Sequence, residues 1–266
     1  MAERTVIQLQ NVKKVYESKV ARREAVLALE DASFDVKEGE FLALVGPSGC
    51  GKSTILKLVS GLMPPTEGVV KVNEAEVRGP QSDLGIVFQF PVLMEWRRVL
   101  GNILLPIEVL ERNDLDYRKR AQELVDLVGL KGFEDKYPFE LSGGMQQRVS
   151  ICRALIHDPP GLIMDEPFSA LDEITRDAMN VELQRIWLER RKTILYITHS
   201  IAEAVFLADR VAVMSARPGR ILRVVDIPFP RPRSLRVRAN PEFVEKVEAI
   251  RDLLGLLDLG EPGGAF

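Results

Sequence analysis

The sequence predicts an α/β fold with a mainly parallel sheet and an inserted helical subdomain. Three observations carry that expectation. Short, continuous apolar runs, Phe41–Val45 and Leu162–Met164, read as strands buried on both faces, as parallel strands are. Helical spacing alternates with such runs, the pattern of crossover connections between parallel strands. From about Glu95 to Ala154 the strand signals stop and amphipathic helical patterning takes over.

Taken in order, Val6–Leu9 and Leu27–Val36 are β-like, the second with partial alternation, and Phe41–Val45 follows. Ile55, Leu58, Val59 and Leu62 then keep helical spacing, which Gly61 and Pro64-Pro65 close. Val69–Val72 and Gly85–Phe88 read as further strands. Leu124, Val125, Leu127, Val128 and Leu130 mark a helix inside the insertion, with Gly132 as its stop. Strand signals resume at Leu162–Met164, Thr193–Thr198, Val211–Met214 and Ile221–Val225, with a helix over Arg176–Arg190 between the first two. After Pro228, Pro230 and Pro232 comes an amphipathic segment, Phe243–Leu257, and a Gly/Pro-rich end expected to fray. The expected layout is one domain over 1–266: a core and β subdomain over about 1–89 and 160–240, a helical subdomain over about 90–159, and a helical tail over 241–266.

Composition narrows the function classes. A chain of 266 residues with 46% hydrophobic and 28% charged residues suits one large soluble domain. A net charge of −3 gives no overall bias toward nucleic acid or anionic lipid. Cys50 and Cys152 make no disulfide framework, which points to a reducing compartment. The first residues lack the apolar core of a signal peptide. No apolar run approaches the roughly 18–20 residues that cross a bilayer, so a membrane would be reached through a partner.

Gly46-Pro47-Ser48-Gly49-Cys50-Gly51-Lys52-Ser53-Thr54 fits the phosphate-loop pattern, with a buried strand before it and a helix after it. Glycines let backbone N–H groups turn onto phosphate oxygens, the helix start adds its dipole, and Lys52 adds a point charge. Ser53 is placed to ligate Mg²⁺. Cys50 reads as a small residue rather than a redox switch. Leu162-Ile163-Met164 ends in Asp165 and Glu166; Asp165 can hold Mg²⁺ through water, and Glu166 can orient or deprotonate an attacking water. Gln89 ends one strand, where it can reach Mg²⁺ or that water, and His199 ends another. His157 has no such context and is assigned no role. Ser142-Gly143-Gly144 opens a helix and forms a second anion-complementary turn, so two copies of the chain are expected to close around nucleotide.

These elements and their order resemble the ATP-binding cassette (ABC) family over almost the whole chain. The resemblance implies a P-loop NTPase core with an N-terminal antiparallel β subdomain and an inserted helical subdomain. It implies that Tyr16 stacks on adenine, that Gln89 belongs to the glutamine loop, and that Ser142, Gly143 and Gly144 form the signature. It further implies that Ser169-Ala170-Leu171-Asp172 is the D-loop, with Asp172 at a dimer contact, and that His199 is the switch histidine. The signature of one copy would contact the γ-phosphate held by the other. Met145 replaces the usual signature glutamine, which shifts the expected contact onto Ser142 and backbone in a turn that should face solvent. Residues 17–24 lengthen the loop after Tyr16, and Ser200 stands where an aspartate is frequent.

A narrower resemblance lies in Asp172–Arg176, Val205–Arg210, Met214–Ile221, Pro230–Arg233 and Pro241–Phe243. It is to the ATPase subunits of bacterial importers for nitrate, sulfonates, taurine or thiamine-precursor pyrimidines. The implied protein is a peripheral ATPase on the cytoplasmic face of the plasma membrane, using ATP and Mg²⁺. Its partners would be a second copy of itself, an integral permease and, indirectly, a solute-binding protein. The apolar stretch Phe88, Phe90–Met94 and Trp96 is expected to border the permease groove, with Met94 and Trp96 in contact and Phe88 open between contact and core. Arginines 210, 217, 220, 223, 231, 233, 236 and 238, against the single acid Asp226, read as a solvated face or one near anionic headgroups. No aromatics interleave them as nucleic-acid binding requires. A soluble ABC-type ATPase outside any transporter, or an exporter subunit, are the alternatives; the solute is not legible.

Overall fold

The computed structural model describes residues 4–17, 25–112 and 116–255. Most of the lengthened loop after Tyr16 and the Gly/Pro-rich end therefore lie outside the described residues. In chain order the elements are β1 (Thr5–Tyr16), β2 (Val26–Lys37), β3 (Phe41–Val45), α1 (Lys52–Val59), β4 (Glu67–Val72) and the two-residue β5 (Ala75–Glu76). Next come β6 (Leu84–Val87), α2 (Val99–Val109), α3 (Tyr117–Leu127), α4 (Gly143–Leu155), β7 (Gly161–Asp165) and α5 (Glu173–Arg190). The chain then runs through β8 (Thr193–Thr198), α6 (Ile201–Leu207), β9 (Arg210–Met214), β10 (Ile221–Asp226) and α7 (Pro241–Leu253). Contacts divide it into two compact units, 1–81 with 193–266, and 82–192.

In the first unit, β2, β1, β4 and β5 form the expected antiparallel sheet. β1 is three times as long as its sequence signal. Asn11 and Asp31 adopt left-handed φ angles of 49° and 51°, and the β1–β2 register shifts between Leu9 and Val12. Such bulges interrupt strict alternation, so the second half of the strand loses its period-2 signature. Asn11 Nδ2 donates to Asp31 Oδ1 at 2.7 Å across the bulge. The other sheet of this unit has β3 between β8 and β9, parallel to both, and β10 antiparallel to β9. All residues of β3 and β8 are buried, the continuous apolar pattern read from the sequence. The phosphate loop leaves the end of β3, where parallel strands place ligand sites.

In the second unit, β6 and β7 pair in parallel, Ile86 opposite Ile163. α4 packs so close to β6 that a Cβ at Gly85 would lie 2.4 Å from the Ala154 carbonyl oxygen. Fully buried Asn102 on α2 ties down the preceding segment: its side chain accepts from Met94 N and donates to the carbonyls of Met94 and Arg97. α5 starts at Glu173, before the apolar periodicity does, because Asp172 Oδ1 accepts from Thr175 N at 3.0 Å and caps the helix.

The tail corrects the reading of the arginine-rich stretch as one solvated face. Arg233 is 4% exposed and donates to the carbonyls of Val205, Phe206 and Ala208 at the end of α6, and to those of Ile227 and Phe229. Arg231 holds Asp209 and the Leu207 carbonyl, Arg210 pairs with Glu40 at 3.0 Å, and Arg220 pairs with Glu30 at 2.6 Å. A helix end leaves carbonyls without intrahelical partners, and Arg233 and Arg231 supply the missing donors at the end of α6. Burial, with Arg231 nearby, lowers the Arg233 pKa to about 10, still charged at neutral pH. The apolar stripe of α7, Phe243, Val247 and Ile250, is buried, with the Phe243 ring 5.8 Å from that of Phe229.

Arg233→Met removes every one of those donors and strands buried carbonyls. It should cost about 3 kcal/mol, seen as a lower urea midpoint. Arg223→Met, at an exposed site on β10, should leave the midpoint within about 0.5 kcal/mol of wild type.

Candidate functional site

The first unit presents the phosphate loop. Gly46 directly follows the buried strand, Pro47, Ser48 and Gly49 are exposed, and Cys50 is buried beneath the turn. Gly51 caps α1 with φ 112°, and a Cβ there would lie 2.7 Å from Leu29 Cδ2, so only glycine makes this turn. No side chain caps the helix start, an arrangement that suits an anion at the N-terminus. Lys52 is 6% exposed, and its Nζ is drawn over the loop by Gly46 O at 2.8 Å and Pro47 O at 3.1 Å. Ser53 is exposed at the first turn, and Thr54 is buried. Donors converging on one concave loop, with a lysine held over it, fit a polyphosphate chain. Burial raises the thiol pKa of Cys50 and of Cys152, which keeps both thiols protonated.

Tyr16 lies at the end of β1, half-buried, its hydroxyl 3.2 Å from Thr54 Oγ1 and 3.4 Å from Met63 Sδ. The ring is thus tied to the base of the phosphate loop, and the Lys14 ammonium lies 5.7 Å from its centroid. His199 is exposed directly after β8. Ser200, in place of aspartate, still caps α6, accepting from Glu203 N at 3.3 Å. Buried Glu203 accepts from Thr198 Oγ1 at 2.8 Å, which fixes the corner that carries His199.

The second unit carries the Asp165–Glu166 carboxylates and the Ser142-Gly143-Gly144 turn. Asp165 ends β7 and Glu166 follows with φ 45°, a left-handed conformation that a glutamate adopts only under constraint. The constraint is local: Ser169 N and Ser169 Oγ both donate to Glu166 O, at 3.1 and 3.0 Å. Gln89 Nε2 in turn donates to Ser169 Oγ at 3.0 Å. Gln147 on α4, 2% exposed, donates to Phe88 O at 3.2 Å. One chain of hydrogen bonds therefore runs from α4 through Phe88–Gln89 and Ser169 to the Glu166 backbone. Sequence reading missed Gln147 and the role of Ser169. Helical spacing from Ser142 would have placed Gln147 on the buried face, where a polar residue needs a partner.

At the signature turn, Ser142 caps α4, its Oγ accepting from Met145 N at 3.4 Å, and Ser142 and Gly143 are exposed. Gly144 is buried, and a Cβ there would come within 3.3 Å of Thr175 Cγ2. The expectation of a turn wholly open to solvent is corrected at this residue: its missing side chain makes room for α5. Asp172 is exposed, and its bond to Thr175 N lowers its pKa.

Comparison with known proteins agrees with this arrangement. The family model described as ABC transporter matches residues 29–169, just over half of the chain. The chain belongs to the ABC transporter family. It is an ATP-binding, ABC-type ATPase. An uncharacterised ABC transporter ATP-binding protein of Methanocaldococcus jannaschii is 46% identical over 248 residues, 93% of this chain and 91% of that protein. The taurine import ATP-binding protein TauB of Jannaschia sp. is 44% identical over 237 residues, 88% of this chain and 87% of that protein. The aliphatic sulfonates import ATP-binding protein SsuB of Bacillus licheniformis is 46% identical over 208 residues, 77% of this chain and 80% of that protein. Among solved structures, a dimeric post-hydrolysis state of an ATP-binding cassette bound to ADP and Pi matches with a TM-score of 0.72 at 33% identity, covering 84% of this chain and 100% of that one. The cbiO1 protein of Clostridium perfringens, part of the ABC transporter complex cbiONQ, matches with a TM-score of 0.75 at 25% identity, covering 93% and 96% of the two chains.

The second unit of this ABC ATPase also has an apolar groove of about 420 Å³, lined by Leu84, Phe88, Met94, Leu105, Val109 and His157 among others. Phe88 is 38% exposed and lines it, so this side chain is no core residue; Trp96 is 75% exposed but is not in the lining. His157, given no role by the sequence, is 9% exposed there, and its Nδ1 is buried without a hydrogen-bond partner. Burial, reinforced by the Arg112 charge, lowers its pKa. The folded state thus keeps His157 neutral at pH values where the unfolded chain, titrating near 6.5, takes up a proton. Stability should fall as pH drops through and below about 6.5. Urea midpoints at pH 7.5 and 5.5 test this: His157→Gln should lose less stability over that interval than wild type.

Proposed function

We propose that this chain is the ATP-hydrolysing subunit of a bacterial importer for a small anionic or zwitterionic solute of the sulfonate and taurine kind. It works as a peripheral, cytoplasmic-face homodimer beneath a permease that takes solute from a binding protein. The observation that carries this reading is the groove beside Gln89. It exposes large apolar side chains, Val92 at 57% and Val109 at 71%, which a folded surface normally hides unless another protein covers them. An amphipathic helix is the element that fits an apolar groove of this size. Among the described residues no helix is long and apolar enough to cross a membrane, so the permease supplies the span. The names of the taurine and sulfonate relatives support the solute class.

In this reading Lys52 and the N–H groups of residues 46–54 hold the β- and γ-phosphates, and Tyr16 stacks on adenine. Ser53 and Gln89, with Asp165 through water, would hold Mg²⁺, which when bound would neutralise charge on the phosphate oxygens. Glu166 accepts the proton of the attacking water, and its constrained backbone holds the carboxylate in place. His199, on its rigid corner, donates to the developing negative charge at the γ-phosphate. Ser142 and Gly143 of a second copy complete the site, with backbone N–H groups at the start of α4, and Asp172 lies at the dimer contact. Residues 90–159 act as the signature subdomain. Displacement of the groove's occupant reaches Glu166 through the Gln89–Ser169 bond.

Glu166→Gln should bind ATP, lose at least about a hundredfold in turnover, and accumulate as a dimer with ATP; phosphate release and gel filtration read both. Monomer only, with normal turnover, would remove Glu166 from the role. Val109→Glu puts a charge into the groove wall and should reduce co-purification with the permease while the unfolding midpoint stays at the wild-type value.

A further inference from the structure

The segment Ser215–Arg220 joins β9 to β10 and takes no part in the mechanism above. It forms a compact turn: Arg220 N donates to Ser215 Oγ at 2.9 Å, and the same hydroxyl lies 2.9 Å from Pro218 O. The turn is pressed against both β2 and the phosphate loop. Gly219 N donates to Ala28 O at 2.9 Å, and Gly219 O accepts from Glu30 N at 3.0 Å. A Cβ at Gly219 would lie only 2.1 Å from Cys50 O, so backbone meets backbone here. From this platform the Arg217 guanidinium reaches Gly49 O with two donors, Nε at 3.2 Å and Nη2 at 3.1 Å.

We infer that Arg217 is a positioning residue for the phosphate loop: it grips the Gly49 carbonyl from outside and thereby sets the loop's affinity for the phosphate chain of a nucleoside triphosphate. The physical link is the planarity of the peptide. In a trans peptide C=O and N–H point in opposite directions, so pulling Gly49 O outward turns Cys50 N–H inward. In the structure that N–H already points across the loop, toward Pro47 O at 3.3 Å. Gly49 itself has φ 74° and no Cβ to resist rotation, so the two Arg217 bonds on its carbonyl add to the Cys50 N–Pro47 O bond in holding one orientation. An ordered array of N–H groups binds an anion without first paying to assemble itself. Arg217 also carries its positive charge to the rim of the loop, while remaining exposed and touching no other part of the proposed mechanism.

This inference rests on the reading of residues 46–54 as the phosphate site, and the experiment separates the two. ATP and GTP affinities are measured by equilibrium titration, and KM and kcat by phosphate release, for wild type, Arg217→Ala, Arg217→Lys and Lys52→Ala. Arg217→Ala should weaken ATP and GTP alike by about tenfold, about 1.4 kcal/mol, because the loop touches phosphate and not base. KM should rise more than kcat changes, and the nucleotide-free unfolding midpoint should stay within a degree or so of wild type, as for an exposed residue. Arg217→Lys, with charge and one donor, should recover part of the loss. Wild-type affinity in Arg217→Ala while Lys52→Ala loses binding overturns the inference alone. Retained binding in Lys52→Ala overturns the reading of the loop beneath it. A loss confined to one nucleotide base, or one matched by a fall in the nucleotide-free midpoint, also overturns it, since either assigns Arg217 to something other than the phosphate loop.

Discussion

The turn from β3 into α1 is crowded on both sides, by β2 and by the Gly219 turn, and the shape of that loop depends on the crowding. Leu29 and Ala28 of β2 lie against Gly51, and the Gly219 turn lies against Cys50. A loop that must aim several N–H groups at one anion has few internal contacts of its own, so its shape comes from the walls. Here the walls are a strand paired in one sheet and a turn that leaves β9 of the other, both fixed by ladders of hydrogen bonds. Beside them the Tyr16 hydroxyl meets Thr54, and Lys52 is held over the loop by the Gly46 and Pro47 carbonyls.

In the second unit the corresponding constraint is the left-handed Glu166. Its conformation is unfavourable for a glutamate by about 1 kcal/mol or more, and two donors from Ser169 onto one carbonyl offset that cost. Because Ser169 also receives Gln89, the carboxylate that would handle the water is mechanically joined to the segment bordering the groove. A partner that moved this segment, as proposed above, would have a short path to Glu166, made of the Gln89 and Ser169 side chains and one backbone carbonyl.

The arginine-rich stretch shows how composition misleads when position is unknown. Eight arginines against one acid look like a charged face, yet they divide by tertiary surroundings. Arg233 closes the carbonyl end of α6, Arg231 and Arg210 pair with acids distant in sequence, and Arg217 reaches the phosphate loop. His157 is the converse case. The sequence offered it no context and no role, and folding buried it in the groove wall with a nitrogen that has no hydrogen-bond partner among the described residues.

By itself the sequence determined the strands and helices with strong periodicity, the phosphate loop, the Asp165–Glu166 strand end and the family. Each of these is local: a run of apolar residues, a glycine spacing, a carboxylate after a strand. The length of β1 escaped it because a bulge at Asn11 breaks the alternation that reveals a strand. The Ser169 bridge, the burial of Gly144 beneath Thr175, the partners of the arginines and the grip of Arg217 on Gly49 were decided by tertiary structure. They join residues tens to more than a hundred positions apart or depend on packing between elements. No short-range pattern encodes which donor will meet which acceptor once the chain has folded.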